Sequence, residues 1–245
     1  MKQVIFKIKE NTPIAKNTYK MVLLGDTSGV TNCGQFVNIA LEGLYLRRPI
    51  SVCDYEDGVL TLIYKVVGEG TELMAELKAG KELDILVGLG NGYDTDKSGD
   101  KPLLVGGGVG VPPLYALCKK LVAEGKKPTV ILGFNSAEEL FYKEEYEALG
   151  AKVLVATADG SVGTKGFVTD AMKELDGDYT YFYTCGPLPM LKALYNATTT
   201  SGQFSFEERM GCGFGACMGC SCKTNFGNKR ICKDGPVFEK EEILW

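Results

Sequence analysis

The stretch "PLLVGGGVGVPPLYALCKKLVAEG", residues 102–125, decides how the second half of the chain is built. The apolar run Leu103 to Val105 meets a cluster of glycines, and a helical pattern opens on Pro112 and Pro113. A strand that ends in a glycine turn and feeds a helix is the setting a phosphate-binding turn requires. Glycine lets backbone N–H groups approach a pyrophosphate, and proline suits a first helical turn. The spacing is G-x-G-x-x-P at Gly108, Gly110 and Pro113, with proline where a third glycine would stand. Taken alone, a plain tight turn between strand and helix explains it equally well.

The same pattern recurs downstream. "PTVILGFN" (128–135), "AKVLVATAD" (151–159) and "YTYFYTCG" (179–186) are near-continuous apolar runs, alternating with helical stretches such as "EEYEALG" (144–150). Runs of this kind suit strands covered on both faces, so the region reads as an α/β domain with a parallel sheet. In "YFYTCGPLPML" (181–191) a second strand ends in a turn, Cys185-Gly186-Pro187, before a helix. Both turns then emerge at the carboxyl edge of one sheet, where ligands bind. Cys185 reads equally as a small buried hydrophobe.

Working toward the N-terminus, the character changes. Six short runs, "QVIFKIKEN" (3–11), "TYKMVLLGD" (18–26), "QFVNIAL" (35–41), "PISVCDY" (49–55), "VLTLIYKVV" (59–67) and "ELDILVGLG" (82–90), suggest a small antiparallel β-barrel. One helix, "TELMAELKAG" (71–80), interrupts them, with Thr71 as its expected N-cap and Gly80 as its stop. A polar hinge, "NGYDTDKSGDKP" (91–102), separates the halves. The expected division is residues 1–97, 98–204 and 205–245.

Composition excludes several classes of function. A net charge of −4 gives no reason to expect nucleic acid as a partner. No apolar run approaches the roughly 20 residues that span a bilayer. The N-terminus, "MKQVIFKIKENTP", lacks the apolar region of a signal peptide, so a cytosolic protein is expected. There is no histidine, which removes Ser-His and Cys-His catalysis, His-ligated zinc and Rieske-type clusters. Chemistry must come from a bound cofactor, carboxylates or thiols.

Five of the nine cysteines fall between Arg209 and Gly235. Cys212, Cys217 and Cys220 stand as C-x4-C-x2-C, the opening spacing of plant-type [2Fe-2S] loops. Gly211, Gly213, Gly215 and Gly219 allow the backbone to fold close and aim N–H groups at sulfur. The rival is a structural zinc site made of four cysteines. On spacing alone either Cys222 or Cys232 serves as the fourth ligand.

A third region, "LRRPISVCD" (46–54) with "LIYKVVGEGTELM" (62–74), is less distinctive. Arg48 suits a phosphate, and Gly68 to Thr71 lie at a helix N-terminus. Composition alone favours the plainer reading, in which Arg47 and Arg48 are solvated surface charges and Gly68 to Thr71 a helix cap.

Together these residues resemble the ferredoxin reductase-like flavoproteins, in which an N-terminal barrel binds a flavin and an α/β domain binds a nicotinamide nucleotide. "RPIS", Arg48 to Ser51, matches the family's Arg-x-x-Ser flavin motif, "GVGVPP" its G-x-G-x-x-P turn, and "CGP", Cys185 to Pro187, its nicotinamide-side turn. Within that family, "LRRPIS", "IYKVVGEGT", "GGGVGVPPLY", "DGSVGTKGFVTD", "ERMGCGFGACMGC" and "CKDGPVF" are most similar to the electron transfer subunits of NAD-dependent (type B) dihydroorotate dehydrogenases.

That resemblance implies FAD at Arg48, Pro49, Ile50, Ser51, Ile63, Tyr64, Lys65, Gly70 and Thr71, with Arg48 on the pyrophosphate. It implies NAD at Gly108, Gly110, Pro113, Cys185, Gly186 and Pro187, and a [2Fe-2S] cluster on Cys212, Cys217, Cys220 and Cys232, leaving Cys222 spare. No residue is expected to act as a catalytic acid or base, because hydride transfer needs positioning more than a proton donor. The implied partner is an FMN-containing dihydroorotate dehydrogenase catalytic subunit, two of each chain forming a heterotetramer in pyrimidine biosynthesis. Glu138 and Glu139 after the second parallel strand, with no arginine nearby, favour NAD over NADP. The rival expectations are a flavin and [2Fe-2S] subunit of a bifurcating ferredoxin:NADP oxidoreductase or a cytosolic hydrogenase, and, outside enzymes, a zinc-stabilised redox-sensing binding module.

Overall fold

A computed structural model describes residues 1–245. The first half forms a closed antiparallel barrel from β1 (Lys2–Ala15), β2 (Thr18–Leu24), β3 (Phe36–Ile39), β4 (Arg48–Glu56), β5 (Val59–Lys65) and β6 (Glu82–Leu89), in the order β1-β2-β5-β4-β3-β6. Alternation builds it: along β6, Leu83, Ile85, Val87 and Leu89 are buried while the residues between them are not. The barrel interior collects Phe6, Met21, Val37, Ile39, Leu62 and Ile85, among others.

Helix α1 (Glu69–Glu76) begins earlier than expected. Its N-cap is Gly68, and Thr71 lies one turn in, at N3. The Thr71 hydroxyl oxygen accepts from the N–H groups of Val67 (2.9 Å) and Gly68 (3.2 Å), so Thr71 ties off orphan donors from inside the helix. Within it Leu73 is 36% exposed, whereas Met74 is fully buried.

The second half is a seven-stranded sheet. Its elements are β7 (Pro102–Gly107), α2 (Tyr115–Ala123), β8 (Thr129–Phe134), α3 (Lys143–Ala148), β9 (Lys152–Thr157), β10 (Thr164–Lys165), α4 (Val168–Met172), β11 (Tyr181–Cys185), α5 (Leu188–Ala197) and β12 (Gly202–Ser205). The order is β10-β9-β8-β7-β11-β12-β15, where β15 (Val237–Glu239) is the antiparallel edge strand and the others are parallel. Every residue of β7 is buried, as a central strand covered on both faces requires. The short strands β10, β12 and β15 carry no run long enough to stand out in the sequence.

The C-terminal segment adds the hairpin of β13 (Ser221–Thr224) and β14 (Gly227–Arg230) and a single turn of helix, α6 (Ile231–Asp234). It is bonded into the larger sheet through β15 on β12. No helix is long and apolar enough to cross a membrane.

The polar stretch 91–102 is not a free hinge. Asn91 Nδ2 donates to the Val237 carbonyl (2.7 Å), the Asp94 N–H donates to Gln203 Oε1 (2.9 Å), and Tyr183 Oη donates to the Asp94 carbonyl (2.9 Å). Apolar packing joins the same units. Cys33, Cys53, Ile63 and Tyr93 share one core with Leu104, Val111 and Leu117, and Phe36 and Leu89 share another with Phe182, Cys220 and Cys232. The barrel, the sheet and the cysteine segment therefore meet along continuous buried surfaces, and a cleft is left where all three converge.

Candidate functional site

The cleft is a cavity of about 660 Å³. Pro49, Ser51 and Lys65 line it from the barrel, and Gly108, Gly110, Cys185, Gly186 and Pro187 from the carboxyl edge of the sheet. Strand pairing explains the barrel wall: Pro49 lies opposite Asn38 and Ser51 opposite Phe36, which also lines the cavity.

The two turns of the sheet pack against each other. A β-carbon on Gly110 would fall 2.2 Å from the Cys185 carbonyl oxygen, so only glycine permits this approach. Gly108, at φ +53°, has open space where a β-carbon would stand, a cradle with room for a phosphate. Burial pushes the Cys185 thiol up to about 12, so it is a neutral, apolar wall rather than a thiolate.

Arg48 stands at the N-terminal turn of α1. Its side chain crosses Gly70 so closely that a β-carbon there would lie 1.9 Å from Nε, and Nη1 donates to the Leu46 carbonyl at 2.6 Å. A guanidinium and the free N–H groups of a helix start form a natural anion site. These residues fit the pyrophosphate of a dinucleotide.

Arg48, Gly70 and Thr71 are not among the residues that line the cavity, and four more residues named from the sequence also lie away from its surface. The Ile63 side chain is buried in the core shared by barrel and sheet. Tyr64 is buried in the barrel, stacked on Tyr19 at 5.8 Å, with its hydroxyl donating to Asn11 Oδ1 at 2.9 Å. Ile50 packs against the barrel core, and Pro113 is buried in the short turn preceding α2. Glu138 pairs with Lys16 on the surface at 2.7 Å, whereas Glu139 lines the cavity and meets Lys65 Nζ at 3.1 Å. Asn135 Nδ2 donates to the same Glu139 carboxylate at 2.8 Å. Burial alone would raise this carboxyl, but Lys65 and Asn135 hold it below the usual carboxylate range.

Several lining residues were not legible beforehand: Phe36, Phe134, Phe167, Met190 and Phe206. Phe167 is 71% exposed at the start of α4, its N–H bonded to Asp170 Oδ2 at 3.0 Å. Trp245 packs on Tyr195 and Phe206, ring centroids 5.9 and 5.8 Å apart, so it backs the cavity wall without entering it.

The cysteine loop wraps its own sulfurs. Cys212 Sγ accepts from the N–H groups of Ala216 (3.2 Å) and Cys217 (3.4 Å), Cys217 Sγ from Gly219 (3.4 Å), and Cys220 Sγ from Cys232 (3.4 Å). Positive φ at Gly213, Gly215 and Met218 makes this winding possible. Arg230 clamps the loop, Nη1 donating to the Gly215 carbonyl at 2.9 Å while the guanidinium pairs with Asp234.

Backbone donation links these cysteines two by two, the Cys217 N–H to Cys212 Sγ and the Cys232 N–H to Cys220 Sγ, while no three ligating side chains are gathered into a closed metal cage. Burial pushes the Cys212 thiol up, but the N–H groups of Cys217, Phe214 and Ala216 outweigh it and bring the thiol down to about 6. Burial, then the Cys220 and Cys212 sulfurs, push Cys232 up to about 12. Two thiol pairs with N–H groups aimed at sulfur are the donor set a two-iron cluster uses. Cys222 belongs to neither pair; it is half-buried on β13, opposite Lys229 in the hairpin.

Known proteins match this arrangement over its whole length. The model of the iron-sulfur cluster binding domain of dihydroorotate dehydrogenase B matches residues 207–244, and that of the oxidoreductase NAD-binding domain matches residues 104–196. The electron transfer subunit of dihydroorotate dehydrogenase B (NAD(+)) from Fusobacterium nucleatum is 47% identical over 252 residues, covering 96% of each chain. The subunit of that name from Bacillus pumilus is 43% identical, covering 99% of this chain and 98% of its own. Among solved structures, an NADH-dependent reduced ferredoxin-NADP oxidoreductase, studied for flavin-based electron bifurcation, superposes with a TM-score of 0.88 at 30% identity, over 98% of this chain and 90% of that one. A ferredoxin NADP+ reductase from Neisseria gonorrhoeae with bound FAD and NADP shares the fold at a TM-score of 0.69 and 18% identity, over 80% of this chain and 90% of its own.

Proposed function

Because this chain belongs to the family of dihydroorotate dehydrogenase B electron transfer subunits, we propose that its cleft and cysteine loop form the two ends of one electron path, divided among residues 1–97, 98–204 and 205–245. The protein is an oxidoreductase subunit that uses FAD, a [2Fe-2S] cluster and NAD and works with a catalytic subunit. When bound, the cluster supplies one-electron transfer, the nicotinamide accepts a hydride, and the flavin exchanges one mode for the other. The observation that carries the reading is that one continuous buried core contains both Phe36, a cavity residue opposite Ser51, and Cys220 and Cys232 of the cysteine segment.

The roles of the residues follow from their surroundings. Arg48 and the first turn of α1 hold the flavin pyrophosphate by charge and backbone N–H donors. Pro49 and Ser51 form the flat wall for the flavin ring. Gly108 and Gly110 receive the nucleotide pyrophosphate, and Cys185, Gly186 and Pro187 border the nicotinamide. The neutral Cys185 thiol excludes water there without offering a competing nucleophile. Lys65 and Glu139 link barrel and sheet across the cleft, fixing the distance over which a hydride must pass. Cys212, Cys217, Cys220 and Cys232 hold the cluster, and the N–H groups directed at sulfur stabilise its negative charge.

The partner is an FMN-containing subunit that oxidises dihydroorotate, two copies of each chain making the assembly. The test is to purify the chain anaerobically, alone and coexpressed with that subunit. FAD with two irons and two sulfides, and NAD-dependent orotate formation only in the coexpressed sample, is the expected result. A colourless zinc-containing chain overturns the cofactor roles of these residues, and full cofactor content without orotate formation overturns the choice of partner.

A further inference from the structure

Asn38 lies on β3 and is 1% exposed. Its neighbours Val37 and Ile39 point into the barrel, so strand alternation turns Phe36 and Asn38 to the outer face, toward the cysteine segment. There Asn38 Nδ2 donates to the Cys212 carbonyl at 3.2 Å. Gly213 closes on the same amide: its φ is +78°, and a β-carbon on it would fall 2.5 Å from Asn38 Nδ2.

The other atom of the amide, Oδ1, is buried with no hydrogen-bond partner, and it is the single side-chain atom of the protein in that position. Turning the amide over gives no relief, because Oδ1 would then face the Cys212 carbonyl, acceptor against acceptor. An orphaned buried acceptor is costly, and an aliphatic residue would avoid the cost. Asparagine at this place is therefore explained by what its Nδ2 does. Opposite Asn38 on β4 is Pro49, and opposite Phe36 is Ser51, both on the cavity wall. One side chain thus ties the strand pair of the flavin wall to the backbone of the first cysteine of the loop.

We propose that Asn38 is a positioning residue that holds the Cys212 turn at a set distance from the flavin wall and thereby governs how fast an electron passes between cluster and flavin. This rests on the reading of Cys212 as a cluster ligand and of Arg48 to Ser51 as the flavin site. The electron lost by one group is gained by the other, and no bond or proton changes at Asn38.

The test compares Asn38→Leu and Asn38→Gln with the parent in the complex with the catalytic subunit, under anaerobic conditions. Leucine removes the donor together with the orphaned acceptor and leaves the Cys212 carbonyl without its partner, which is the loss the test reads. Glutamine keeps the donor but sets the loop one carbon further out. Three quantities are read: the rate of flavin reduction by NADH, the subsequent rate of cluster bleaching with the EPR signal of the reduced cluster, and hydrogen exchange at the Gly213 and Phe214 amides of the metal-free chain.

Both variants are expected to keep the parental rate of flavin reduction and to slow cluster bleaching by about tenfold or more, with an altered EPR signal. Faster exchange at Gly213 is expected in the leucine variant alone. Parental bleaching and EPR in both variants overturn the proposal. If the leucine variant loses iron, the glutamine variant decides: slowed bleaching supports the proposal, and parental bleaching overturns it. A parent chain without flavin or iron marks failure of the cofactor assignments instead.

Discussion

Arg48 occupies the space that a β-carbon on Gly70 would need, with Nε 1.9 Å from that position. The glycine is what allows the guanidinium to lie across the first turn of α1. Gly70→Ala should therefore push the arginine aside while leaving the helix intact, since alanine is the better helix former. Arg48→Ala removes the charge outright. A charge-assisted contact contributes about 1.5–3 kcal/mol, so FAD should bind about 10- to 100-fold more weakly in Arg48→Ala, and by a smaller factor in Gly70→Ala. Fluorescence titration of the flavin-free chain measures both. Unchanged FAD affinity in Arg48→Ala removes this arginine from the flavin site.

The pair of Lys65 and Glu139 makes a pH-dependent contribution to the joint between barrel and sheet. The folded carboxyl titrates below its ordinary range. Its stabilisation is therefore complete above the unfolded value, about 4.3, and is lost as pH falls through the lower folded value. Glu139→Gln should cost about 0.5–1 kcal/mol at neutral pH, with the deficit shrinking as pH falls below the ordinary carboxylate range. Denaturant midpoints of both proteins across that range give the answer. A deficit of equal size at both ends would show that the carboxylate charge is irrelevant.

The sequence made visible what depends on period and on glycine. Six alternating runs became six barrel strands, and the runs at 102–107, 129–134, 152–157 and 181–185 became the parallel sheet. What stayed hidden depends on distant partners. Phe36 and Asn38 read as an ordinary strand, and only their pairing with Ser51 and Pro49 and their packing on the cysteine segment give them a role. The polar stretch 91–102 looked like a hinge because its composition is polar, but those groups are spent on Gln203, Val237 and Tyr183. Thr71 looked like an N-cap because its type is common there, while the backbone had already turned helical at Glu69.

Phe167 stands at the rim of the cavity, at the start of α4. The Gly108 turn follows β7, and the cavity runs from it past the ends of β8 and β9 to Phe167, more than half exposed at its rim. On the proposed roles, a nucleotide with its pyrophosphate on the glycine turn and its nicotinamide at Cys185 would extend its adenine in the opposite direction, toward this ring. Stacking on a base is worth about 1–3 kcal/mol, so Phe167→Ala should raise the KM for NADH about 5- to 100-fold with little change in kcat. Reduced nicotinamide mononucleotide, which lacks the adenine, should show no difference between the two proteins. An equal loss with both substrates would place Phe167 in the shape of the cleft rather than on the adenine.

Cys222 separates the thiol pairs from mere crowding. It lies two residues from Cys220, yet its side chain is half-buried beside the hairpin, and burial raises its thiol. Cys217, exposed on the loop, accepts the Gly219 N–H and pairs with Cys212. Cys222→Ser should accordingly keep two irons per chain and the parental visible spectrum, because it removes no sulfur from either pair. Cys217→Ser replaces a thiolate with a hydroxyl that binds iron poorly near neutral pH, and should lose most of its iron and the visible absorption of the cluster while retaining FAD, since the barrel is untouched. Iron and sulfide assays on the two variants, purified side by side without oxygen, decide the ligand set. Loss of the cluster in Cys222→Ser with its retention in Cys217→Ser would reverse the roles of the two thiols, and would require the loop to rewind so that β13 turns its cysteine toward Cys212.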